Sequence, residues 1–66
     1  SEMCKETVLE FKVCGKNETA DEAAKRALKQ INDRDYASKA REDGYKNIIK
    51  YGVAFKGKIC YAIVES

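Results

Sequence analysis

The segment VLEFKVC, residues 8–14, decides how the rest of the chain is read. Extended to residues 6–14, it alternates with period two. Thr7, Leu9, Phe11 and Val13 fall on one face, and Val8, Glu10, Lys12 and Cys14 fall on the other. That alternation predicts a β-strand. It also sets an acid and an amine two residues apart on the same face of an otherwise apolar strand. The Cβ atoms of such a pair are roughly 6.5–7 Å apart, so Glu10 and Lys12 converge on a common volume. Either they decorate a solvated face or they form part of a site.

Moving outward, GKNE at 15–18 breaks the strand. Thr19-Ala20-Asp21-Glu22 then carries the pattern of a capping box, in which hydroxyl and carboxylate each take one orphan N–H. Ala20, Ala23, Ala24, Ala27, Leu28 and Ile31 follow at helical spacing, giving one apolar stripe of a helix that runs to about residue 32. Its alanines allow a close approach to a sheet. NDRD at 32–35 interrupts, and Asp33 or Asp35 is the expected cap of a second, shorter helix with Tyr36, Ala37 and Ala40 on its apolar side. Gly44 is its natural stop.

From Tyr45 the period returns to two. Asn47, Ile49, Tyr51, Val53 and Phe55 share one face, and Ile48, Lys50, Gly52 and Ala54 share the other. Lys56-Gly57 reads as a hairpin turn, with residues 58–64 as the return strand. A two-residue loop there pairs Phe55 with Lys58, Val53 with Cys60 and Gly52 with Tyr61, whose ring would cover the bare glycine.

The order is β-α-α-β-β, an α+β (α/β) chain. A strand followed by a helical crossover implies a parallel pair, and the hairpin adds an antiparallel strand. The expected architecture is a three-stranded mixed sheet with helices on one face. The hairpin strands are apolar on both sides, whereas antiparallel strands with one wet face alternate more cleanly. Something beyond the two helices is therefore expected to cover the second face.

The chain has 66 residues with 13 Lys plus Arg and 11 Asp plus Glu, which allows one small domain and argues against a strongly basic nucleic-acid binder. A domain of this size buries only about 60% of the surface its unfolded chain exposes, so a partner chain, metal or disulfide is a usual supplement. There is no histidine, which excludes a Ser-His pair and leaves a zinc finger short of ligands. Cys14 and Cys60 lie in apolar runs and read as buried, reduced thiols, which points to a cytoplasmic setting. Cys4 makes the count odd. CGKNET at 14–19 has one glycine and the wrong spacing for a phosphate loop. No apolar run approaches the roughly 20 residues of a membrane span, and Ser1–Lys5 reads as a cut edge rather than a leader.

A carboxylate beside an ammonium suits metal-assisted phosphodiester cleavage. The carboxylate holds a divalent cation, and the ammonium stabilises the developing negative charge. Taken alone, Glu-x-Lys arises by chance everywhere and reads as a surface ion pair worth about 0–1 kcal/mol. Its context adds more. VLEFKV is followed by an acidic capped helix ending in ALKQI, then RDYA, then GYKNIIKYGVAFKGKICYAIVE. From Val8 to about Glu65 this run resembles the C-terminal part of the PD-(D/E)XK nuclease-like domain attached to AAA-ATPase-like proteins of bacteria and archaea.

The resemblance implies a partial restriction-endonuclease-like fold and a single fragment spanning residues 1–66. Glu10 and Lys12 match the second acid and the lysine of the signature, with Glu10 as a ligand to Mg or Mn. Gln30 matches a helix position associated with the site, and Tyr36 an aromatic position expected to pack on the sheet. The signature's first Asp has no counterpart. Glu2 and Glu6 lie too close to Glu10 in sequence to replace a residue on a neighbouring strand. The implied function is metal-dependent hydrolysis of DNA or RNA by the intact protein, with this chain inactive and holding no metal tightly. A homodimer is expected to cover the open sheet face. The alternative is a non-enzymatic nucleic-acid-binding or protein-docking and oligomerisation module of an ATPase, in which Lys25, Lys29, Lys39, Lys46 and Lys50 meet phosphates or simply face solvent.

Overall fold

Parallel pairing of β1 (Lys5–Val13) with β2 (Asn47–Lys56) sets the frame of the computed structural model, which describes residues 5–65. Glu2 and Cys4 lie outside the described residues. Antiparallel β3 (Ile59–Glu65) flanks β2 on its other side, giving the order β1-β2-β3. The crossover holds α1 (Ala20–Asp33) and α2 (Tyr36–Glu42). This is the three-stranded mixed sheet that the period-two and helical patterns predict. No helix among the described residues is long and apolar enough to cross a membrane.

The capping box forms as its residues require. The Glu22 N–H donates to Thr19 Oγ1 at 3.1 Å, and the Thr19 N–H donates to Glu22 Oε1 at 2.8 Å. At the end of α2, Gly44 adopts φ +96°, which lets its N–H reach the Arg41 carbonyl while the Tyr45 N–H reaches the Ala40 carbonyl. Tyr45 then packs on the cluster of Ala37, Ala40 and Ile48, the apolar contact that accompanies such a stop. Asp35 does precede α2, but its side chain makes no capping bond. It sits instead in the left-handed region at φ +56° and turns the chain sharply between the two helices.

The helices cover the face formed by the even-numbered residues of β1 and β2. Ala23 and Ala24 pack on Ala54, with Cys14 and Ile63 at the margin. Gly52 lies directly under α1, where an added Cβ would collide with the Ala24 carbonyl oxygen and the Leu28 side chain. The core is therefore built from small residues, and Ile31 is its largest fully buried side chain.

The hairpin register differs from the expected one. Lys56 pairs with Ile59, Phe55 with Cys60, Ala54 with Tyr61 and Gly52 with Ile63. The turn residues are Gly57 and Lys58, with Gly57 at φ +58°. A glycine at the first central position suits a II′ turn, whereas a Lys56-Gly57 loop would ask a lysine for an unfavourable conformation. The shift of two keeps every side chain on its expected face but removes Tyr61 from Gly52. Its hydroxyl meets Asp21 Oδ1 at 3.3 Å instead, and α1 covers the glycine. Cys60 is exposed rather than buried, because it falls on the face that the helices leave open. Cys14 is half-buried, with its thiol donating to the Glu18 carbonyl.

Candidate active site

Glu10 and Lys12 project from β1 on the helix-covered side. They sit in register with Gly52 and Ala54 of β2. Those two partners have little or no side chain, so α1 seats closely on β2, with the flank of β1 that carries Glu10 and Lys12 beside it. In that flank Glu10 Oε2 and Lys12 Nζ lie 3.7 Å apart, with the side chains 18% and 22% exposed. This is an ion pair beyond hydrogen-bond distance, mostly withdrawn from water rather than solvated decoration.

Arg26 and Gln30 of α1 and Arg34 at its C-cap are four residues apart, about 6 Å per step along the axis, and so form a row on one side of the helix. Arg26 closes the turn between β1 and α1. Its guanidinium meets both carboxylate oxygens of Glu18 at 3.0 Å and the Val13 carbonyl at 3.3 Å. These bonds hold Glu18 below the usual carboxylate range, helped by the Gly15 N–H. Gln30 is half-buried in the middle of the row. Among the described residues no hydrogen bond joins its side chain to Glu10 or Lys12.

Arg34 ends the row. Its Nη1 donates to the Tyr36 hydroxyl at 3.1 Å. The guanidinium is held above the ordinary arginine value, first by Tyr36 and to a lesser extent by the charge of Glu10. Tyr36 is half-buried and lines a cleft of about 350 Å³ with Glu6, Val8, Lys39, Ala40 and Asp43. The cleft opens at the edge of β1, next to the Glu10–Lys12 flank. Sequence reasoning passed over Arg34. The signal was its position four residues after Gln30, on the same side of the helix.

The lysines considered for phosphate contact divide. Lys25 pairs with Asp21 and Lys29 with Asp33, both at 2.9 Å, and Lys50 reaches Asn32 and Glu65. Lys39 and Lys46 are exposed.

Among the described residues no group of three or more His, Cys, Asp or Glu side chains converges. Glu10 is a single carboxylate already facing an ammonium. A divalent ion held by one carboxylate keeps most of its waters, so these residues alone do not fit a tightly bound metal.

The family model of the PD-(D/E)XK nuclease superfamily matches residues 2–65. The chain belongs to this superfamily. No curated protein and no solved structure gives a significant match. The sheet, the two helices and the superfamily match agree with a partial PD-(D/E)XK fold. Superfamily members are in general dependent on divalent metals.

Proposed function

We propose that residues 1–66 are one fragment, the Glu-x-Lys half, of a PD-(D/E)XK nuclease domain. In the intact protein that domain is a Mg- or Mn-dependent phosphodiester hydrolase acting on DNA or RNA, and it accompanies an AAA-ATPase-like region. The observation that carries this reading is the shared placement of Glu10 and Lys12, 3.7 Å apart on the sheltered face of β1, in a chain of this superfamily. Glu10 supplies one carboxylate toward a metal, and a neighbouring strand of the intact protein supplies the other. Lys12 supplies a fixed positive charge where negative charge develops on the phosphate. Gln30 borders the same volume from α1. Glu10, Lys12 and Gln30 are the proposed catalytic set.

The test is cleavage of single- and double-stranded DNA and RNA by the intact protein with Mg or Mn. Glu10→Gln and Lys12→Met are expected to abolish cleavage while oligonucleotide binding persists. The 66-residue chain alone is expected to cleave nothing. Cleavage by both variants at the wild-type rate would overturn the proposal.

For the isolated chain we further propose that a second copy covers the open sheet face. Leu9, Phe11, Val13, Phe55 and Val64 are exposed there together, a contiguous apolar set of the kind that marks an interaction surface. Light scattering at high micromolar concentration is expected to give a dimer mass, and a monomer mass would overturn this part.

A further inference from the structure

We propose that Arg34, anchored by Tyr36, contacts a backbone phosphate of the nucleic-acid strand that enters the flank beside Glu10 and Lys12. The inference rests on the nuclease reading and extends it to a substrate-binding residue. Its basis is a contrast among the cations of α1, its C-cap and the strand positions beneath them. There Lys12, Lys25, Arg26, Lys29 and Lys50 each face a carboxylate within 4 Å. Arg34, like the exposed cations elsewhere on the chain, faces none among the described residues, and its hydrogen bond goes to the neutral Tyr36 hydroxyl at 3.1 Å. An arginine bonded to a phenol keeps its charge and most of its planar fork of donors available, and that fork suits phosphate oxygens.

Position supports the same assignment. Asp35, in the left-handed conformation, turns the chain so that Arg34 ends α1 while Tyr36 begins α2 beside the β1 cleft. The guanidinium is therefore held beside the cleft by its bond to Tyr36, at the C-terminal end of the row that begins with Arg26. Arg26 itself is committed to Glu18 and the Val13 carbonyl. A strand lying along this row would meet Arg34 as its first available cation, and the Glu10 carboxylate would repel it. Tyr36 is a positioning residue in this scheme, because it acts through Arg34.

The test is metal-free binding of the chain to oligothymidylate and oligouridylate, followed by fluorescence anisotropy over a range of KCl concentrations. Arg34→Gln is expected to weaken binding several-fold and lower the slope of log K against log salt by about 0.7, the value for one phosphate contact on a single strand. Arg34→Lys is expected to keep the slope and lose part of the affinity. Tyr36→Phe is expected to weaken binding with the slope unchanged. Glu10→Gln is expected to tighten binding, since it removes a like charge. An unchanged slope in Arg34→Gln, or no salt-dependent binding by the wild-type chain, would overturn the assignment. Chelator removes cleavage from the experiment. The nuclease reading therefore fails separately, through unaltered cleavage by the Glu10 and Lys12 variants of the intact protein.

Discussion

The two faces of the sheet carry opposite kinds of residue. Under the helices lie Val8, Glu10, Lys12, Lys50, Gly52 and Ala54, with Ile48 and Ile63 packed on the helices as well, while the uncovered side holds Leu9, Phe11, Val13, Tyr51, Phe55 and Val64. A simple rule of apolar residues inward would put the helices on the second set. Size explains the inversion. Helices approach a sheet closely where side chains are small, and the alanine stripe of α1 meets glycine and alanine on β2. Beside that close seat, Glu10 and Lys12 on β1 remain partly exposed. The larger residues on the other side form a surface in their own right, with Phe11 and Phe55 stacked at 5.9 Å between ring centres. One face carries the proposed site, and the other is the surface proposed to meet a second copy.

Variants on the covered face break this contrast most strongly. Ile31→Ala empties the one large, fully buried position and is expected to cost about 2–5 kcal/mol in urea denaturation. That is a large share of the stability of so small a domain. Gly52→Ala drives a methyl group against the Ala24 carbonyl and is expected to cost about 1–3 kcal/mol, with loss of packing between α1 and β2. On the open face, replacing Phe11 and Phe55 together by serine removes a stacked pair worth about 0.5–1.5 kcal/mol. The expected result is a modest loss of stability and, in sedimentation, loss of the dimer. Glu10→Gln or Lys12→Met sharpens the comparison from the other direction. A partly exposed pair at 3.7 Å, beyond hydrogen-bond distance, is expected to shift stability by about 0–1 kcal/mol, so the pair contributes little to the fold.

The smallest effect concerns acid. The Arg26 guanidinium and the Gly15 N–H lower the Glu18 carboxyl, and Lys25 with Tyr61 lowers Asp21. A depressed folded value stabilises fully above the unfolded value, about 4.3 for glutamate and 3.9 for aspartate. That contribution fades as pH falls through the lower folded value. The melting temperature is therefore expected to decline below about pH 4, and less steeply in Glu18→Gln.

Much of this was legible in the residues. The period-two run at 6–14 and the capping box at Thr19 give strand and helix directly, and Gly44 marks the end of α2. Those signals are local, and the local backbone obeys them. The hairpin register was harder, because Lys56-Gly57 and Gly57-Lys58 both offer a glycine to a two-residue loop. Only the position of the glycine within the turn separates them. Asp35 was readable as a breaker but not as a left-handed residue without a side-chain cap. For the proposed site, Glu10 and Lys12 were legible from their spacing on β1, and Gln30 was assigned by family likeness. Arg34 was not singled out: its spacing from Gln30 was there to be read, but the role proposed for it rests on which neighbouring cations have acidic partners, a property of the folded surface.

The central claim is that Glu10 and Lys12 act together as half of a phosphodiester-cleaving site. It is tested most directly by single-turnover cleavage in the intact protein with Mn, comparing wild type with Glu10→Gln and Lys12→Met. The account predicts a fall on the order of 100-fold or more in each variant, with oligonucleotide binding retained. Wild-type rates in both variants, or no cleavage by the intact wild-type protein, would contradict it.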